Sequence, residues 1–414
     1  MKKKNTIIIG GGVIGASVAA SLAKRGQPVT LIEKDKIGMG CSYGNAGWMT
    51  PCFAMPLPMP GMLLKSTKWL LNPEGPLYIK PSLSVDLTYW LTKFLMSMNE
   101  KQAMRAIEVL VELSKVSLSA YAELSKDHPE INFEQKGLLM ISQTNDGLKA
   151  THQELDFVSR FDIPGRKLNS DEVKDFEPAL KGDIKGGVYF EKEAHGEPLK
   201  IVQALIAEAK AHGAEIIENC EVAHINIENK KVKSITTTNG EIYETEQLVL
   251  ATGSWSKDIA QQLGLRVPIL GGKGYAIITD KMSPNPKHPI MCIDKKIAIT
   301  PRHDSLRIAG TLELVDQDFS ITERRVSAIK KGAKEFLNLP SEIKVHELWR
   351  GLRPCTPDGV PLIGYSKKVS NLMLACGHQM LGLQAGLGTG ILVADLMQNK
   401  KVNYNLDVLN PDRF

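Results

Sequence analysis

The chain opens on a short apolar run, Thr6–Ile9, that breaks into glycines, and Ala16–Lys24 after it is rich in helix formers. Gly26 ends that stretch and Pro28–Ile32 is a second apolar run, so a βαβ opening is expected. Prolines at 51, 56, 58 and 60 then forbid regular structure. Leu87, Trp90, Leu91, Phe94, Leu95 and Met98 share one face at helical spacing, and Met104–Leu124 is also expected to be helical.

Farther along, Gly137–Ser142 and Gly186–Phe190 read as strands. Leu199–His212 reads as a helix closed by Gly213, followed by strands around Glu215–Ile217, Val232–Thr237 and Gln247–Leu250. From Val267 to Leu312 apolar and polar residues alternate as in antiparallel sheet. Thr322–Leu337 is helical, and Leu372–Ala375 is a strand feeding a glycine-rich turn and the helical run Gly388–Met397. There is no internal repeat. The pattern describes a nucleotide-binding domain interrupted by a second, sheet-bearing domain.

Composition narrows this only a little. The 414 residues leave room for two domains, and 43% hydrophobic with 23% charged residues is ordinary for a globular chain. A net charge of +5 gives no warrant for nucleic-acid binding. Six cysteines lie scattered without a CxxC pair, and the nine histidines show no HExxH spacing, so neither a disulfide framework nor a metal is expected. The run Ile7–Ile9 is too short for a signal-peptide core, and no run approaches the ~18 apolar residues of a membrane span.

The strongest local signal is Gly10-Gly11-Gly12-Val13-Ile14-Gly15, between a strand and a helix. Gly10 permits the tight turn, Gly12 lets a pyrophosphate approach the backbone, and Gly15 allows the helix to pack closely on the strand. The helix N-terminus offers unpaired N–H groups and partial positive charge to phosphates. Glu33 ends the second strand, eighteen residues beyond Gly15, where a carboxylate accepts from ribose hydroxyls and repels a 2′-phosphate. FAD and NAD share this fingerprint. The late glycine-rich run Ala375–Gly382 favours the flavin, because a helix N-terminus there stabilises the anionic reduced ring.

With these motifs, Cys41–Gly47, Gly351–Gly359 and Gly377-His378 with Gly382 follow in order along nearly the whole chain. Together they resemble the D-amino acid oxidase superfamily of FAD-dependent oxidoreductases, and within it the bacterial D-amino acid dehydrogenases. The resemblance implies an α/β fold: a Rossmann-like FAD-binding domain of the GR2/DAO type, interleaved with an α+β substrate domain on a mixed or antiparallel sheet. The FAD domain is expected over 1–84, 195–264 and 345–414, and the substrate domain over 85–194 and 265–344. The cofactor is expected to be FAD, held non-covalently, with Cys355 off the position of covalent attachment in some relatives.

Residue by residue, the resemblance adds Lys34, Ser42, Asn45, Ala46, Gly47, Trp48 and Met49 to the FAD contacts begun by Gly10, Gly12, Val13, Ile14, Gly15 and Glu33. Val222 and Gly253 would line the adenosine side, and Gly382, Leu383 and Gln384 would offer N–H groups to the flavin C2 carbonyl. Arg353 matches the arginine that pairs with the substrate carboxylate, a bidentate contact that orients as well as holds. The tyrosine that assists it in the better-known oxidases is absent from Ile297–Pro301, and Tyr275 and Arg302 are the substitutes considered, with Met49 also expected to touch the substrate. His378 is the remaining catalytic candidate, with a positional role beside the flavin preferred.

The expected reaction is oxidation of a small amino acid, of D configuration by the resemblance, with its hydride passing to flavin N5 and electrons to a quinone-type acceptor. The alternative is a glycine-, sarcosine-, proline- or hydroxyproline-type enzyme of the same family; an NAD-dependent dehydrogenase is more distant. The apolar segment Trp48–Trp69 reads as a lid, or else as a contact with the inner face of the cell membrane. The expected location is accordingly the cytoplasm, with or without that peripheral contact. The pattern sets no oligomeric state.

Overall fold

The computed structural model describes residues 2–59, 77–79 and 84–414. The opening apolar run is the buried end of β1 (Lys2–Ile9), which pairs in parallel with β2 (Val29–Ile32) and β12 (Ile242–Leu250). Being covered on both faces, a central parallel strand is apolar throughout rather than alternating. The sheet runs β10 (Val222–Glu228), β11 (Lys231–Thr237), β12, β1, β2, β9 (Glu215–Ile217). Beside β12 lies β19 (Leu372–Cys376), with β18 (Leu362–Tyr365) antiparallel to it. Ile8, Leu31, Val249 and Met373 face one core, with the helices Val13–Ala23, Pro198–Ala211 and Gly386–Met397. Ile7, Ile9, Leu248 and Leu374 face the other.

The second sheet runs β17 (Val345–Cys355), β13 (Leu270–Asp280), β16 (Ser305–Val315), β15 (Ile297–Pro301), β14 (Ile290–Cys292), β5 (Leu138–Ser142), β7 (Gly186–Phe190), β6 (Arg166–Asn169). A three-residue strand, β4 (Leu77–Ile79), flanks β16. On one face Tyr275, Ile277, Ile299 and Ile308 pack beneath the helix Glu323–Phe336. The opposite face looks toward the first sheet. A short ladder, β3 (Trp48–Met49) with β8 (Ala194–His195), joins the two halves.

The expected elements form, and the structure adds others, among them β10, the helix Asn145–Val158, β6, β17 and β18. Two expected domain boundaries shift. β17 pairs with β13 over its length, so 345–355 belongs to the second sheet rather than to the FAD domain. The long helix Glu100–Asp127, expected within the substrate domain, packs against Gly386–Met397 and the first core.

Candidate active site

A cavity of about 1480 Å³ runs between the two sheets, from the Gly10 turn to Arg353. It exceeds the roughly 300–1,000 Å³ of an ordinary small-ligand site, as a dinucleotide with a second molecule requires. At its first end Gly10 holds φ +108°, and a Cβ there would stand 2.5 Å from the Ala251 carbonyl oxygen. A Cβ on Gly15 would meet the Gly10 carbonyl at 1.8 Å, so helix and strand touch only because both residues are glycine. Gly15 therefore packs behind the cavity and does not line it, while Gly10, Gly12, Val13 and Ile14 do.

Around that turn the polar groups are arranged for an anion and a ribose. Gly11 N–H donates to Glu33 Oε2 at 2.6 Å, and Val13 N–H donates to Ser42 Oγ at 2.9 Å. The N–H groups of Gly12 and Ile14 have no acceptor among the described residues. Lys34 Nζ sits 4.3 Å above the Trp255 ring, which stacks on Phe319, so cavity-lining aromatic faces flank the end of the cavity near Val222 and Gly253. The strong motif located the turn; Trp255 ends the one-turn 3-10 helix Gly253–Trp255 and Phe319 stands in a loop, so neither left a periodic signal.

Asn45 and Ala46 line the middle of the cavity, and so does Trp48, whose Nε1 donates to Thr300 Oγ1 at 2.8 Å. Two neighbours assigned to the cofactor do not reach it. Gly47 turns away at φ +79°, with its carbonyl accepting from Gly196 N–H. Met49 is fully buried in the first core, because alternation along β3 points it opposite to Trp48.

At the far end the glycine-rich run joins Arg353. Gln379 N–H donates to the Pro354 carbonyl and Cys355 bridges to His378, which pins the run to the end of β17. The N–H groups of Gly382, Leu383 and Gln384 find no acceptor among the described residues, as a site for the flavin carbonyl requires. Three residues of the long helix hold this run from behind. Tyr121 Oη donates to the Leu383 carbonyl, Ser117 Oγ accepts from Gly388 N–H, and Ser114 Oγ accepts from Gln384 Nε2. Their spacing on an apolar helical face, where serines at 114 and 117 interrupt the stripe, was a signal the sequence carried.

Arg353 lines the cavity with its guanidinium over Gly274, where a Cβ would lie 1.9 Å from Nη1. Nη1 donates to the Thr311 carbonyl at 3.2 Å and more weakly to Gly272 at 3.5 Å. No carboxylate among the described residues pairs with it, so it is not held in a structural salt bridge. Thr311 itself stands at φ +63° where β13 and β16 shift register, and its hydroxyl has no partner. His378 is buried, bonded through Nε2 to Thr389 Oγ1 at 2.9 Å, and its Nδ1 is unpartnered. Burial lowers its pKa to about 3, so the ring is neutral.

Two substitutes for the missing tyrosine fall elsewhere. The Tyr275 ring packs in the core on the opposite face of the sheet, where its hydroxyl accepts from Thr322 N–H, although the residue borders the cavity. Arg302 forms a bidentate pair with Glu197 at 2.6 and 2.9 Å and does not line the cavity. Burial pushes the Cys355 and Cys376 thiols up to about 12, so neither offers a thiolate. No cluster of histidine, cysteine or acidic residues among those described has a metal-binding arrangement.

A family model described as DAO, FAD dependent oxidoreductase, matches residues 5–396. A D-amino acid dehydrogenase of Vibrio atlanticus is 32% identical, with 99% of each chain covered. One from Helicobacter pylori is also 32% identical, over 98% of each. Among solved structures, glycine oxidase from Bacillus cereus is 25% identical with a TM-score of 0.77 over 98% of both chains. L-proline dehydrogenase from P. horikoshii, at 22% identity and TM-score 0.76 over 100% of this chain and 98% of its own, shares the fold. FAD rather than NAD is thus the cofactor of the cavity. From the Gly10 turn to Arg353, the chain belongs to the DAO family of FAD-dependent oxidoreductases and is similar to its D-amino acid dehydrogenases.

Proposed function

We propose that this enzyme oxidises the Cα–N bond of a small to medium-sized α-amino acid, of D configuration, and passes the electron pair to a quinone-type acceptor. FAD, when bound, supplies the acceptor of the substrate's α-hydride at N5. The imino acid formed then takes up water and releases ammonia when the amine is primary. The observation that carries the reading is the Arg353 guanidinium, anchored by two carbonyls and free of any carboxylate partner among the described residues, on the cavity side of Gly274.

The chain's own contribution is placement. Arg353 takes the carboxylate in a two-point contact, which removes most of the rotational freedom of the reacting carbon. Ser42, Gly12 and Ile14 hold the pyrophosphate, Glu33 the ribose, and the Gly382–Gln384 N–H groups the flavin carbonyl. Residues assigned to these roles are those that line the cavity. His378, kept neutral by burial, is a positioning residue and carries no proton in the reaction.

No helix among the described residues is long and apolar enough to cross a membrane. Residues 60–69 of the apolar segment, where a lid or a membrane contact was expected, lie outside the described residues. The test is an anaerobic screen of D- and L-amino acids, sarcosine and cyclic amines, following loss of flavin absorbance. Bleaching by D-amino acids, with fast turnover on a quinone analogue and little peroxide, is the expected result. Bleaching by cyclic or N-methyl amines alone moves the substrate to the secondary-amine class. Bleaching by nothing removes the proposal.

A further inference from the structure

Across the cavity face of the second sheet one register row reads Trp349, Ala276, Ala309, Ala298, Met291 on β17, β13, β16, β15 and β14. Every neighbour in that row is a direct cross-strand partner, so all five side chains project from the same face. Trp349, Ala309, Ala298 and Met291 line the cavity. The row is bulky at both ends and stripped to methyl groups in the middle. Ala276 is buried and does not itself line the cavity, so Ala309 and Ala298, about 4.8 Å apart, floor a trough that Met291 closes.

The ends are fixed. Trp349 is wedged so closely that a Cβ on Gly44 or Gly351 would lie 2.3 or 2.2 Å from its indole. Met291 packs with Phe53, Met55 and Met59 against a separate apolar cluster. Alanine at three adjacent positions is therefore not a packing default. Neighbouring parts of the same sheet face are filled by Met140, Val188 and Phe190, all buried.

The trough lies one amino acid away from the carboxylate anchor. The Arg353 guanidinium occupies the side-chain position of Gly274, and Ala276 is the next residue of β13 on that face. Two residues of strand span about 7 Å. A substrate whose carboxylate meets Arg353 lays its own side chain over the alanines. Arg307, two residues before Ala309 on β16 and so on the same face, is buried beside that floor and paired with Glu197 at 3.5 Å. Glu154, which burial raises to about 7, and Lys296 line the cavity.

We propose that Ala309 and Ala298, which share a register row with the buried Ala276, floor a side-chain slot, and that it makes the enzyme select α-amino acids with an apolar side chain of leucine or methionine size over glycine and alanine. This rests on the reading of Arg353 as the carboxylate anchor. Specificity follows because each methylene placed on such a floor is worth roughly a tenfold or larger preference.

The test replaces Ala298→Leu, and separately Met291→Ala, in the FAD-loaded enzyme. For Ala298→Leu the ratio of kcat/KM for leucine to that for alanine, in each handedness, is expected to fall by about 50-fold or more. For Met291→Ala the ratio of phenylalanine to alanine is expected to rise. Calorimetric binding of 4-methylpentanoate against propanoate reads the same slot without turnover and should lose its preference for the longer acid in Ala298→Leu. Ratios unchanged in both variants overturn the slot. If the wild-type enzyme binds both acids with the expected preference but is bleached by no amino acid, the slot stands and the proposed reaction falls. Should Ala298→Leu not fold, Met291→Ala decides the matter alone.

Discussion

Arg353 donates from Nη1 to the carbonyl of Thr311 at 3.2 Å, and that carbonyl points at it because Thr311 adopts φ +63°. A β-branched residue pays about 1–3 kcal/mol to stand in the left-handed region. The strain is located at the bulge of β16, beside the cavity, and it turns a backbone acceptor onto the guanidinium. Thr311→Gly should therefore hold or raise stability by up to about 1 kcal/mol, while loosening the guanidinium and raising KM for the substrate more than it lowers kcat. Urea midpoints and steady-state kinetics give both quantities. A stability loss above about 1 kcal/mol would show that the conformation is unstrained.

Arg353→Lys should keep FAD and lower kcat/KM by at least about 100-fold, because an ammonium makes one contact where the guanidinium makes two. Gly274→Ala should produce a similar loss without altering Arg353 itself, since its methyl would occupy the space of Nη1. Normal kinetics in Gly274→Ala would mean that the guanidinium works from another position.

At the other end of the cavity, Ser42→Ala removes the acceptor of the Val13 N–H and a hydroxyl facing the pyrophosphate site. FAD affinity should fall about tenfold, with about 1 kcal/mol lost from the apoprotein. Flavin release on dilution and thermal unfolding of the flavin-free protein measure the two effects separately. Gly10→Ala should be far worse, since it combines a positive φ with a 2.5 Å approach to Ala251.

For His378 the sign is set by burial. The unfolded chain takes up its proton near pH 6.5, whereas the folded chain does so only at about 3. Between those values the unfolded state binds more protons, so stability is present above pH 6.5 and is lost as pH falls, by up to about 1.4 kcal/mol per pH unit. His378→Asn should flatten the decline in unfolding free energy between pH 6.5 and 4.5, leaving a smaller slope from His195, lowered to about 4. Equal slopes in the two proteins would place the ring in contact with water.

Glu193 runs the other way. Its carboxyl is buried, with Oε1 accepting from Cys52 N–H and Oε2 without a partner, and burial raises it to about 8. Its folded pKa lies above the unfolded 4.5, so its contribution is present below 4.5 and is lost as pH rises toward 8. Glu193→Gln keeps an acceptor for Cys52 and removes the buried charge. It should raise stability at pH 8 by on the order of 2 kcal/mol and change it little at pH 5. A denaturation series at the two pH values checks the difference.

The amino-acid order alone determined the βαβ opening, the glycine turn with Glu33, and the family, because these depend on local rules. A strand covered on both faces must be apolar, and a turn at φ +108° admits only glycine. It also marked Arg353 and the Gly382–Gln384 run, which stand in motifs. What it could not determine is which way a side chain points once strands pair. Met49, Arg302 and Tyr275 have suitable chemistry, yet one step of alternation or a nearby Glu197 commits the polar or apolar end of each side chain elsewhere. The alanine trough is still less legible, since its members are scattered from Ala276 to Trp349 and become neighbours only through hydrogen bonding across five strands. Register is a long-range property: a shift of one residue in any of those strands would turn the row to the opposite face.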